Sequence, residues 1–197
     1  AGKYPTIPNS NPAQIINLSL GGTGNCPQSY QDTINTIVPD TAIVVSAGNN
    51  HTSVMDSTPA NCLNVISTAA VGPLNKLASY SNFGATTVSA PGGDHYQGGE
   101  SAEIYSTIWG SIESFNLASG GSYAYYEGTS MAAPHVTAAV ADIIGYLQAD
   151  NQSWSESEVV QIRGAADMGV AAAAGQFRQK TFRRRSLPSS LRAAFVS

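Results

Sequence analysis

Apolar residues along this chain come in short runs separated by glycine-rich stops. Ile15 to Leu20 (IINLSL) is nearly continuous and ends in Gly21-Gly22, the pattern of a buried strand halted at a tight backbone feature. A helix is expected next. Ser29 and Asp32 form an S-x-x-D start, and Tyr30, Ile34, Ile37 and Val38 share one helical face before Pro39 stops the segment. Thr41 to Ser46 (TAIVVS) reads as a second buried strand ending in Ala47-Gly48-Asn49, and strand, helix, strand at this spacing is a right-handed βαβ unit. Further strands are expected over Cys62 to Val71 and over Thr86 to Ala90, the latter ending at Pro91-Gly92-Gly93. The segment 94–127 is rich in Ser, Gly and Tyr, with alternating patches such as IYSTIW, which predicts extended or hairpin structure.

From Ser130 to Leu147 the residues Val136, Ala139, Val140, Ile143, Ile144 and Leu147 make the broad stripe of a buried central helix, with Pro134 expected in its first turn. A last helix is expected from Ser155, with Glu158 completing a capping box and Trp154 and Val159 placed to staple it. The fold class that follows is α/β, a mainly parallel sheet with helices on both faces. Ligands in such sheets sit at the carboxyl ends of the strands, where the loops SLGG, SAGN and APGG would converge.

Composition narrows this picture. With 42% hydrophobic and 11% charged residues and 19 glycines in 197 residues, the chain reads as one tightly packed domain with many turns. No run of eighteen apolar residues and no charged-then-apolar leader is visible, so neither a membrane span nor a signal peptide is expected. Charge is unevenly spread. Residues 1–177 set Lys3, Lys76 and Arg163 against all 13 acids, a balance of −10, whereas 178–197 carry six cations and no acid. The acidic body offers no extended positive surface and the tail has few aromatics for stacking, which argues against a nucleic-acid partner. Residues 1–170 are therefore expected to form the domain, and 171–197 a basic tail that is disordered or foreign to it. Cys26 and Cys62 are either a disulfide or two buried thiols; the disulfide is the expectation, and it implies an oxidising, extracellular setting.

The candidate chemistry lies in GTSMAAPHV at 128–136. A serine opening a buried helix has its Oγ at the positive end of the helix dipole, among unpaired N–H groups suited to an oxyanion, although a plain N-cap would look the same. This segment resembles the nucleophile motif of the subtilisin-like serine proteases, the subtilases. INLSLGG at 16–22 is similar to the family's substrate-binding strand and VVSAGN at 44–49 to its oxyanion asparagine segment. YSNFG at 80–84 and VSAPGGD at 88–94 resemble the stretch leading to the nucleophile. The likeness covers about residues 1–167.

It implies Ser130 as nucleophile and Asn49, with the Ser130 backbone N–H, as the oxyanion donors. Ser19, Leu20 and Gly21 would offer a strand edge to an extended polypeptide substrate, Ser46, Ala47 and Gly48 would line the pocket before the scissile bond, and Gly22 would keep the adjacent wall open. The family's Asp-Ser/Thr-Gly and His-Gly-Thr segments have no match here. None of the seven aspartates is followed by Ser-Gly or Thr-Gly, and His51, His95 and His135 precede Thr, Tyr and Val. His135 should point away from Ser130 as a packed, hydrogen-bonded histidine, while His51 and His95 lie on loops that could approach it.

Three readings follow: part of a secreted subtilase catalytic domain, a hydrolase acting on short-chain esters with a substitute base, or a non-catalytic peptide-binding module. The first carries the expectation of an exposed apolar face that pairs with a missing N-terminal segment or with a second copy. Calcium is common in the family, but Asp56 and Asp94 read as solvated turn residues, so no metal ligand or other cofactor is assigned.

Overall fold

A computed structural model describes residues 10–109, 121–149 and 153–155. Strands β1 (Ile15–Leu18), β3 (Ala42–Ser46), β5 (Ile66–Val71) and β6 (Val88–Pro91) form a parallel sheet in the order β1-β3-β5-β6. Ile15 lies opposite Ala42, Val44 opposite Ile66, and Thr68 opposite Val88. Short β2 (Gly22–Thr23) pairs antiparallel with β4 (Ser57–Thr58), and β7 (Ile104–Trp109) with β8 (Gly121–Tyr126) forms the antiparallel hairpin expected within 94–127.

All five residues of β3 are buried, and the period of two explains how. Ala42 and Val44 face helix α2 (Thr129–Ala149) in one core with Ile66, Ala70, Val88, Ala90, Val136 and Val140. Ile43 and Val45 face the opposite side, clustered with Ile34 of helix α1 (Gln28–Ile37), Val54 and Cys62. Each buried Val or Ile side chain contributes about 1.5–3 kcal/mol, so the two-sided sandwich of β3 dominates the stability of this layer. Ala132 and Ala133 have no exposed surface; their small side chains let the first turns of α2 lie close on the sheet.

Four expectations change. Strands β1 and β5 are shorter than the apolar runs, because Ser19 and Leu20 leave the sheet and 62–65 form a turn. Helix α1 starts at Gln28 behind Pro27, which has extended backbone and no side-chain cap; Asp32 instead accepts from Gln28 Nε2 at 2.8 Å, so no capping box forms at Ser29. Helix α2 begins at Thr129, which places Pro134 at its sixth residue, in the second turn rather than the first. The helix expected from Ser155 lies outside the described residues, although Trp154 packs against the core of α2. Cys26 and Cys62 are joined in a disulfide across a separation of 36 residues.

Candidate active site at the carboxyl edge of the sheet

Because β1, β3 and β6 run parallel, their trailing loops meet at one edge, and the start of α2 is carried there by Glu127-Gly128 at the end of the hairpin. The Gly128 N–H donates to Gly92 O at 2.9 Å, tying the approach to α2 onto the loop after β6. Thr129 is 1% exposed and works in three directions. Its Oγ1 accepts from the Gly48 N–H at 3.1 Å and donates to Asn49 Oδ1 at 2.7 Å, while its backbone N–H donates to the same Oδ1 at 2.9 Å.

Asn49 is thus held by its carbonyl end, and its Nδ2 group has no acceptor among the described residues. Gly128, beside that group, has φ +156, a backbone conformation that glycine adopts without strain. The N–H groups of Met131 and Ala132 bond to Gly128 O, whereas the Ser130 N–H has no protein acceptor among the described residues. Asn49 Nδ2 and Ser130 N–H are therefore two unspent donors at the positive end of α2.

Ser130 and Ser19 clasp each other. Ser130 Oγ donates to Ser19 O at 3.3 Å and Ser19 Oγ donates to Ser130 O at 2.9 Å. The second bond exists because of Pro134. A residue at that position would normally donate its N–H to the carbonyl four residues earlier, and proline has none, so Ser130 O is left for Ser19.

Beyond the clasp, Leu20 is 59% exposed and Gly21 and Gly22 face outward; a Cβ on Gly22 would meet nothing within 4 Å. Ser46 and Ala47 are buried and lie behind this surface, with Ser46 Oγ 3.5 Å from Leu18 O and 3.4 Å from Leu20 O, while Gly48 is partly exposed.

The imidazoles are engaged elsewhere. His135 is exposed rather than packed, and its Nδ1 reaches back to Met131 O at 2.8 Å on its own helix. His51 stands edge-on to Phe83, and His95 Nδ1 meets Glu103 Oε1 at 2.8 Å. Among the described residues none shares a hydrogen bond with Ser130.

Asp94 corrects the sequence reading most sharply. It is 1% exposed, and its oxygens accept from Ser79 N–H at 2.8 Å, Ser79 Oγ at 3.0 Å, Tyr96 N–H at 3.0 Å and Gln97 Nε2 at 2.7 Å. Burial alone would raise its pKa, but the donated hydrogen bonds outweigh it and hold the carboxyl below its usual range. A carboxylate saturated by protein donors does not fit a calcium ion. Among the described residues no group of three His, Cys, Asp or Glu side chains could hold a metal. Beside it, Tyr80 donates to Gly93 O at 2.6 Å and Gly92 O at 2.9 Å, and burial pushes its phenol far above the usual range, so it stays a neutral donor fixing the loop that carries Gly128. The sequence reading assigns no role in the site to Thr129, Tyr80 or Asn82, and gives Asp94 only that of a solvated turn residue; all four sit inside the quoted motifs, which is the signal that could have drawn attention to them.

The described residues contain no helix long and apolar enough to cross a membrane. Comparison with known proteins agrees with the geometry. The family model described as "Subtilase family" matches residues 2–179. The chain is 46% identical over 144 residues to an extracellular protease of Xanthomonas campestris pv. campestris, covering 71% of this chain and 23% of that protein. It is 37% identical over 160 residues to an extracellular basic protease of Dichelobacter nodosus, covering 78% of this chain and 24% of the relative. A solved protease from Pseudoalteromonas arctica superposes with a TM-score of 0.73 at 38% identity, over 84% of this chain and 48% of its own. The chain spans about a quarter of the length of these curated relatives. With the family match extending over most of the sequence, and the fold and site geometry in accord, the chain belongs to the subtilase family.

Proposed function

We propose that this chain carries the nucleophile and oxyanion half of a secreted serine endopeptidase. The observation that supports it most directly is the docking of Asn49 Oδ1 on Thr129, which leaves Asn49 Nδ2 and the Ser130 N–H unspent beside the Ser130 hydroxyl. In the proposed reaction Ser130 Oγ attacks the carbonyl carbon of an extended peptide lying along Leu20 to Gly22. The hydroxyl proton passes to a base, the two donors take up the negative charge on the carbonyl oxygen, and the amine leaves with that proton; water then hydrolyses the acyl-enzyme. One such donor is worth about 2.7–4 kcal/mol, a value measured in a subtilisin itself.

The base is the component without a counterpart among the described residues, where the Ser130 hydroxyl donates to a carbonyl. Among the described residues strand β1 pairs on one side only, with β3. A further parallel strand on its free side would end beside Ser19, in contact with Ser130, and we assign the base to a segment delivered along that margin. Secretion is supported by the extracellular relatives and by the disulfide.

The test uses the full chain, a peptide p-nitroanilide and a short-chain p-nitrophenyl ester, each with and without added imidazole and each against Ser130→Ala. The proposal expects amide cleavage near the Ser130→Ala level without imidazole, and a Ser130-dependent increase with it. Ser130-dependent ester cleavage needing no imidazole and lost in His51→Ala or His95→Ala would replace it with an esterase using its own base. Peptide binding with no Ser130-dependent turnover under any condition would leave a binding module.

A further inference from the structure

Asn49 is exposed and has no burial of its own to fix its direction, yet an oxyanion donor must be aimed before the charge develops. Thr129 holds the carboxamide from the helix side. What holds the backbone that carries it is Asn82, 1% exposed and 33 positions further along the chain. Asn82 Oδ1 accepts from the Asn50 N–H at 3.0 Å, the Thr52 N–H at 3.1 Å and Thr52 Oγ1 at 3.3 Å, and Nδ2 donates to Ala47 O at 2.9 Å. Its own N–H donates to Gly48 O at 2.9 Å.

These bonds fall on both sides of Asn49 and none on Asn49 itself. Gly48, at φ +103, lies so close that a Cβ there would stand 2.5 Å from Asn82 Nδ2, so the loop rests directly on the amide. Only a short carboxamide can accept from two N–H groups at one end and donate to a carbonyl at the other; a carboxylate lacks the donor and a serine lacks the reach.

We propose that Asn82 is a positioning residue for the oxyanion donor: it clamps the 47–52 loop so that Asn49 Oδ1 stays docked on Thr129 and Nδ2 faces the reacting carbonyl. This rests on the reading of Asn49 as that donor. The clamp also accounts for a glycine at position 48, where any side chain would push the loop off its support.

The primary readouts need no turnover. Amide hydrogen exchange is followed at Thr129, Val44 and Val136 in ¹⁵N-labelled chain, together with the side-chain resonances of Asn49, in wild type, Asn82→Ala and Asn82→Asp. Asn49→Ala supplies the exchange rate of an undocked Thr129. The expected result is exchange at Thr129 at least tenfold faster in Asn82→Ala, approaching the Asn49→Ala rate, with Val44 and Val136 within about twofold of wild type and the Asn49 side-chain signals moving to free-asparagine positions. Asn82→Asp keeps the acceptor contacts and should fall between, which also guards against a variant that fails to fold. Unchanged Thr129 exchange, or an equal rise at all three amides, overturns the clamp.

Labelling of Ser130 by a peptidyl phosphonate with imidazole added as the base, the phosphoryl oxygen occupying the oxyanion position, separates the two readings. If Asn49→Ala labels at the wild-type rate, Asn49 is not the donor whatever Asn82 does. If Asn49→Ala is slow and Asn82→Ala is not, the clamp alone fails.

Discussion

At the scale of single residues, buried polar side chains decide where the reactive groups point. Thr129 is the central one, and Thr129→Val keeps its shape while removing the hydroxyl that bridges Gly48 and Asn49. Leaving the Gly48 N–H unpaired should destabilise the chain by about 1–3 kcal/mol, read as a lowered urea midpoint at unchanged m-value. Asp94 gives a pH dependence with a definite sign. Its carboxylate is favoured in the folded chain, so the stability it supplies is complete above the ordinary carboxylate range and drains away as pH falls through the depressed folded value. Melting temperature measured from pH 6 down to pH 2 should therefore fall in the wild type, and Asp94→Asn should start lower and lose less over the acid limb. Neither residue was legible as it stands. Asp94 in PGGD looks like a loop aspartate; it is buried because Ser79, fifteen positions earlier, turns its N–H and hydroxyl toward it. Asn82 is hidden for a related reason, since all its partners but the Thr52 hydroxyl are backbone groups and backbone carries no sequence signature.

At the scale of elements, the sequence was readable where period and stops coincide. The continuous apolar run in TAIVVS, buried on both faces, and glycine soon after the apolar runs made the parallel strands and the edge where their loops meet legible. Helix starts were less readable, because Pro27 can cap by backbone geometry alone and Gly128 lets α2 begin one residue early. In either register Pro134 lacks the N–H that would bond to Ser130 O, which leaves that carbonyl to Ser19. A double-mutant cycle tests the link. Ser19→Ala should cost about 0.5–1.5 kcal/mol with Pro134 in place and close to nothing in Pro134→Ala, where a restored N–H claims the carbonyl. Equal costs in the two backgrounds would separate the proline from the clasp.

At the scale of the whole molecule, the sheet is flanked by helices on both faces, and the disulfide ties the segment entering α1 to the loop after β4. Closing a loop of that length is worth about 4 kcal/mol in the chain-entropy model, so Cys26→Ala with Cys62→Ala should lower the unfolding free energy by roughly that amount in denaturant titrations, and reductant should do the same to the wild type alone. Both cysteines sit on the α1 side, whereas Thr129 and Ser130 open α2 on the other side, so the loss should appear in stability without altering Thr129 exchange. The missing rung at Pro134 has a mechanical counterpart at this scale. A helix that keeps every internal bond can rotate about its axis as a smooth rod when its packing is disturbed, but α2 is keyed at its second residue to the segment that follows β1. Enlarging Ala139 or trimming Val140 should consequently tilt or slide the rod while its keyed end keeps the same facing.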